Sequence, residues 1–278
     1  MIPFTDFGGK GSNLHFLHAN GYPPGCYLPL IDLLKTDFHI TSMHLRPLWP
    51  GSQPEEIGAW HPFTDDFLLF LNEQKLSPMI AVGHSMGATI SLRTALRRPD
   101  HFRALVLIDP VLFIPRIIAT INLAKAIGLS HKHPLIAGAL KRRRHFDNLE
   151  DLFNSYRRKS VFRFLDDASL RAYIQGISKP AADGGFDLAY SPEWEARIYY
   201  TGVWRDMDLW RGLPTLKVPT LIIRGAESDT FLPVTAMRVK HVRPETRIVS
   251  LEKSTHLVAL EKPREISEII HDFLKENL

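Results

Sequence analysis

The sequence predicts an α/β fold: a mostly parallel sheet of about seven or eight strands, flanked by helices and interrupted by an inserted helical segment. Three observations carry this expectation. Short, near-continuous apolar runs alternate with stretches whose apolar residues recur every three or four positions, as strands buried on both faces alternate with their covering helices. From about Leu112 to Arg205 that alternation stops, and helix-like, aromatic-rich sequence takes over. With 278 residues, 45% of them hydrophobic, the chain can bury the core of one large α/β domain and still carry an insertion.

Taken in order, only about a dozen residues precede the first parallel strand, enough for one extra strand but hardly an antiparallel hairpin. The runs Asn13–Gly21 and Phe38–Pro47 read as strands ending in Gly- or Pro-containing loops. Pro62–Gln74 and Ala88–Arg98 carry the helical spacing. Met79–Val82 is a buried strand, separated from the second of those helices by Gly83-His84-Ser85-Met86-Gly87 alone. Ala104–Asp109, Pro219–Gly225 and Thr246–Glu252 are further apolar strands, and Arg264–Asn277 is a closing helix after Pro263. The expected division is a core of residues 1–111 and 206–278 with a helical cap over 112–205. A strand count nearer seven than eight follows from the short N-terminus.

Charge separates the two parts. Residues 112–205 hold 15 Lys and Arg against 9 Asp and Glu, whereas the remainder holds 19 against 21. An excess confined to one block describes a segment with its own surface rather than a uniformly basic nucleic-acid binder. The runs Lys141–His145 and Tyr156–Lys159 read as a solvated helix face. Most of the segment's aromatics and apolar residues, Leu123, Leu129 and Leu135 included, read as packing it onto the core, and the rest as lining an acyl or aromatic pocket. The single cysteine, Cys26, excludes an intramolecular disulfide framework and reads as a small loop or core residue. Together with an N-terminus that lacks a signal-peptide pattern, it leads to a cytoplasmic expectation.

A serine between two glycines, at a junction this tight between strand and helix, is pushed out at the end of the sheet in a strained conformation. A serine hydroxyl is a weak nucleophile and needs an adjacent base, commonly a histidine oriented by a carboxylate. Asp229 lies in "RGAESDTFLP" after the Thr220–Arg224 run, and His256 in "SLEKSTHLVALEKP" after Arg247–Leu251. Both fall beyond the carboxyl ends of their strands, the end where ligands bind in such sheets.

With the order Ser85, Asp229, His256, the chain resembles the α/β-hydrolase-fold enzymes with a helical cap, over almost its whole length outside the insertion. A lone G-x-S-x-G recurs by chance, but an elbow followed by an Asp loop and a His loop in this order is specific. The resemblance implies that Ser85 is the nucleophile, His256 the base and Asp229 the acid. It further implies that the loop "LHANGYPPG" (Leu17–Gly25) supplies an oxyanion hole through the backbone N–H groups of Asn20 and Met86. His-Ala-Asn-Gly stands here where many relatives have His-Gly-x-Pro, which leaves Ala19 open as the donor instead. Asp109, at the end of the preceding strand, occupies an alternative acid position used by some family members; its other reading is a cap for the inserted segment. His18 shapes the loop, His84 packs, and Glu227 faces solvent.

The resemblance thus implies a serine hydrolase that cleaves a carboxylic ester with a hydrophobic acyl or aromatic part through an acyl-enzyme. Other readings open at this level are a carbon–carbon bond hydrolase, a haloperoxidase-like perhydrolase and a ligand-binding member of the fold without turnover. A serine at the elbow argues against the dehalogenase and epoxide hydrolase branches, whose nucleophile is an aspartate. No organic cofactor is implied. His15, His44, His131, His133 and His241 show no zinc-ligand spacing, so no metal is expected either. The expected partner is a small-molecule ester, with no nucleic acid and no stable membrane insertion; a homo-oligomer is left open.

Overall fold

The computed structural model describes residues 1–129 and 133–278; His131 lies outside them. Seven strands form the main sheet: β1 (Phe4–Gly8), β2 (Ser12–Leu17), β3 (Phe38–Met43), β4 (Met79–His84), β5 (Phe102–Ile108), and two strands after the insertion, Thr220–Gly225 and Arg247–Leu251. Numbered in chain order, those last two are β9 and β10. The sheet order is β1-β3-β2-β4-β5-β9-β10. All pairs are parallel except β1 with β3, so the short N-terminus supplies one antiparallel edge strand.

Strand side chains alternate between two apolar layers. Ile80 and Val82 of β4, Val106 and Ile108 of β5 and Leu221 and Ile223 of β9 face one layer, with helix α1 (Leu28–Leu34) and the closing helix (Pro263–Asn277). Met79 and Ala81, Leu105 and Leu107, and Ile222 face the other, with α2 (His61–Gln74) and α3 (Met86–Arg97). This is the two-sided burial that made the strands read as continuous apolar runs.

Between β5 and β9 lie α4 (Pro115–Ala126), α5 (Pro134–Leu140), α6 (Leu149–Arg157), α7 (Asp167–Ile177), α8 (Pro192–Thr201) and α9 (Met207–Gly212). The sequence showed little strand signal here, yet β6 (His145–Phe146), β7 (Ser178–Pro180) and β8 (Phe186–Leu188) form a small antiparallel sheet in the order β6-β8-β7. Two or three residues are too few to show a period-two pattern, so pairing alone defines these strands. The inserted aromatics are mostly core: Phe146, Phe153, Tyr156, Phe162 and Tyr173 join one layer, Tyr190 and Trp194 the other. Leu123, Leu129 and Leu135 are instead exposed. Cys26 is buried, and its backbone N lies 2.4 Å from where a Cβ on Gly176 would sit, so a glycine is needed for α7 to approach this loop.

No helix among the described residues is long and apolar enough to cross a membrane.

Candidate active site

The turn from β4 to α3 has Ser85 at its apex, with φ 55° and ψ −118°, a conformation a non-glycine residue adopts only under constraint. Close approach explains the glycines on either side. A Cβ on Gly87 would lie 2.0 Å from the Leu17 carbonyl oxygen, and one on Gly83 2.6 Å from the Ala88 nitrogen. The first turn of α3 can therefore press against the end of β2, where the loop Leu17–Gly25 begins.

His256, in the loop after β10, bridges two groups. Its Nε2 lies 2.8 Å from Ser85 Oγ, and its Nδ1 lies 2.9 Å from Asp109 Oδ1. A neutral imidazole fits both partners in one tautomer: Nδ1–H donates to the carboxylate, and Nε2 accepts from the hydroxyl. Ser85 is 6% exposed, and the His256 side chain keeps a quarter of its surface open to solvent.

The carboxylate beside His256 is Asp109, which corrects the expectation for Asp229. Asp229 is exposed, and among the described residues its carboxylate accepts only from the neighbouring Thr230 hydroxyl, at 3.2 Å. Asp109 directly follows β5, between the strands that carry Ser85 and the Asp229 loop, and is fully buried. Its φ of 42° turns the chain sharply at the strand end. Besides His256, its carboxylate accepts the Gly225 N–H at 2.9 Å and the Ser228 hydroxyl at 2.5 Å. The β9 loop thus contributes donors to the Asp109 carboxylate rather than a carboxylate of its own beside His256. The sequence signal was present, since "LVLIDP" puts an aspartate immediately at a strand end, but an aspartate also stood in the next loop.

The loop Leu17–Gly25 distinguishes its two candidate donors. The Ala19 N–H donates to Tyr27 Oη at 3.2 Å, whereas the Asn20 N–H has no hydrogen-bond partner among the described residues. Asn20 is 6% exposed, and its side-chain Nδ2 donates to the Glu195 carbonyl in the insertion. Met86 is the first residue of α3, where helix N–H groups lack intrahelical acceptors. His18 ties this loop to the segment just after β3, accepting the Leu45 N–H at its Nε2.

His84 has more contacts than packing requires. Its Nδ1 lies 2.8 Å from Tyr27 Oη and its Nε2 2.8 Å from the His256 carbonyl oxygen. In the tautomer that satisfies both, Nε2–H donates to that carbonyl and the Tyr27 hydroxyl donates to Nδ1. A buried chain then runs from the Ala19 amide through Tyr27 and His84 to the backbone of His256. Burial pushes the His84 pKa down to about 3, with the adjacent His256 adding to the shift, so the ring is neutral at physiological pH. Glu227, expected in solvent, is exposed and pairs with Arg163 at 2.7 Å.

Among the described residues, no three His, Cys, Asp or Glu side chains gather as a metal site. Beside the Leu17–Gly25 loop is a recess of about 210 Å³, walled by Tyr22, Tyr173 and Tyr199 with Arg142, Lys159 and Glu195. Arg142 pairs with Glu195 and receives the Tyr156 hydroxyl as a second acceptor.

A sequence model of the alpha/beta hydrolase family matches residues 16–269. The chain is 27% identical over 250 residues to the uncharacterized hydrolase YugF of Bacillus subtilis, spanning 88% of this chain and 84% of that protein. Among solved structures, an E-2-(acetamidomethylene)succinate hydrolase superposes with a TM-score of 0.76 at 20% identity, covering 98% of this chain and 94% of that one. The esterase Rv0045c from Mycobacterium tuberculosis does so with a TM-score of 0.74 at 20% identity, covering 99% and 88%. At these identities the solved structures share the fold.

Proposed function

Because the chain belongs to the alpha/beta hydrolase family, we propose that it is a serine hydrolase of carboxylic esters, with Ser85 as nucleophile, His256 as base and Asp109 as the acid that orients it. The observation that carries this reading is the single imidazole within hydrogen-bond reach of both the Ser85 hydroxyl and the Asp109 carboxylate.

In this mechanism His256 Nε2 takes the proton of Ser85 Oγ as that oxygen attacks the ester carbonyl. Asp109 holds the imidazole in its tautomer and stabilises the imidazolium that forms. The N–H groups of Asn20 and Met86 receive the developing oxyanion. His256 then gives its proton to the departing alcohol. A water activated by the same nitrogen cleaves the acyl-enzyme and restores the serine.

The insertion acts as a cap that shapes the substrate pocket. The recess of about 210 Å³ beside the Leu17–Gly25 loop, walled in part by Tyr22, Tyr173 and Tyr199, offers an aromatic-lined space for part of a substrate, though neither Ser85 nor His256 is in its wall.

Hydrolysis of 4-nitrophenyl esters from acetate to palmitate tests this reading. Turnover on the best ester of the series should fall by at least about a thousandfold in Ser85→Ala. Labelling of Ser85 by a fluorophosphonate without turnover of any ester would sink the ester assignment while keeping the nucleophile.

A further inference from the structure

The excess positive charge of the insertion is unevenly neutralised. In the basic runs, Arg142 pairs with Glu195, Arg143 with Asp151, Arg144 with Glu193 and Arg157 with Asp167. Lys125, Arg197, Arg205 and, just beyond the insertion, Arg211 have no ion-pair partner among the described residues; nor do Lys141, Arg158 and Lys159, but Lys125, Arg205 and Arg211 line one place. It is a recess of about 610 Å³ between α4 and the ends of α8 and α9, where Lys125, Arg205 and Arg211 form part of the wall with Tyr200 and Trp204.

The cations are packed on those two rings. Lys125 Nζ lies 4.7 Å from the Tyr200 ring centre and 4.6 Å from that of Trp204. Arg197 sits over Tyr200 at 5.6 Å, and Arg205 over Trp204 at 4.7 Å. The ring faces offset part of the mutual repulsion but supply no net negative charge. Burial, then Arg197 and Arg205, push the Lys125 pKa below the usual lysine range, so an added anion would relieve the site.

Two independent features mark the same wall. Val203 and Arg205, on either side of Trp204, have φ of 65° and 76°, which for a β-branched valine is a strained geometry. Trp204 is fixed in place by its Nε1–H, which donates to the Gly58 carbonyl at 2.7 Å. Asn122, also in the wall, has a buried side-chain oxygen with no hydrogen-bond partner among the described residues, an acceptor that a donor on the ligand's organic part would satisfy. The one carboxylate present, Asp208, is already engaged by Arg93 at 2.9 Å and His61 at 3.2 Å. Arg93 lies eight residues beyond Ser85 on α3, about 12 Å along its axis, so this recess is distinct from the serine site.

We infer that this recess binds a phosphorylated small molecule, its phosphate held by Lys125, Arg205 and Arg211 and its organic part against Tyr200 and Trp204. A phosphate ester or diphosphate suits the site because arginines bind its oxygens in pairs and its multiple negative charge matches several uncompensated cations.

Titration calorimetry with adenosine 5′-diphosphate at fixed ionic strength tests the inference, adenosine serving as the uncharged control. The wild-type chain and Ser85→Ala should bind the diphosphate saturably and alike, and adenosine should not bind. The double variant Lys125→Met, Arg205→Met should bind at least tenfold more weakly, while Lys141→Met, Arg158→Met, which removes two cations elsewhere on the insertion, should leave affinity unchanged. Absence of saturable binding by the wild-type chain would overturn the inference without any variant. So would binding of adenosine as tight as the diphosphate, or an equal loss in both double variants. None of these readouts depends on ester turnover, so this site and the proposed hydrolase activity fail separately.

Discussion

Asp109 and Asp229 carry the same functional group, and what separates them is their surroundings. Asp109 is fully buried and accepts from His256, Gly225 and Ser228, while Asp229 is exposed and, among the described residues, bonded only to its neighbour. Asp109→Asn keeps the shape of the side chain but offers an amide to His256 Nδ1 and favours the wrong tautomer. Its kcat on the best ester should fall by about a thousandfold or more, with the protein still folded. Asp229→Asn should stay within about twofold of wild type, the scale of a surface change with no specific partner. Steady-state kinetics of the two variants side by side decides the acid; the reverse pattern would return the role to Asp229. The residue types were legible from the sequence, down to the competing pair. Choosing between them required the position of the imidazole, which no linear spacing contains.

At the scale of elements, the elbow depends on α3 reaching β2 closely enough for Met86 and Asn20 to share one end of the sheet. Gly87 makes that approach possible, since a Cβ there would sit 2.0 Å from the Leu17 oxygen and 2.7 Å from the His18 oxygen, both backbone atoms with little room to yield. Gly87→Ala should therefore cost upwards of about 2 kcal/mol, the upper part of the overpacking range, and lower kcat as the oxyanion loop is displaced. Gly58→Ala, where a Cβ would meet nothing within 4 Å, should be nearly neutral. Urea midpoints for the pair check this, and equal losses would refute the close-approach argument. The main-sheet strands and the long helices of the core were readable because apolar runs of five to seven residues and amphipathic stretches are long enough to be recognised. The strands β6, β7 and β8 were not, because each contributes two or three residues whose only strand character is their mutual pairing.

Across the whole molecule, buried histidines set the response to acid. His15, His18 and His84 are fully buried, and burial is the leading cause that brings each pKa down to about 3. In the unfolded chain these rings take up protons near 6.5. Between those values the unfolded state holds up to three more protons than the folded state. Stability present above pH 6.5 is therefore lost as pH falls, by at most about 4 kcal/mol per pH unit. Urea midpoints should be level from pH 8 to 7 and decline steadily from pH 6.5 to 5. A midpoint unchanged down to pH 5 would show that these rings protonate within the fold.

The sequence by itself determined the α/β class, a main sheet of about seven strands, the N-terminal edge strand, the strand–helix junction carrying Ser85 and the loop carrying His256. Each of these is local: a periodicity, a pair of glycines, or a polar residue directly after an apolar run. Tertiary structure alone decided which aspartate meets His256, which of two adjacent amides is left without a partner, and where uncompensated cations collect. These are outcomes of pairing between segments as far apart as Asp109 and His256, or Ala19 and Tyr27 with His84. The physical reason is that hydrogen bonds and charge compensation depend on distances in space, and those are fixed only when the sheet brings its strand ends together.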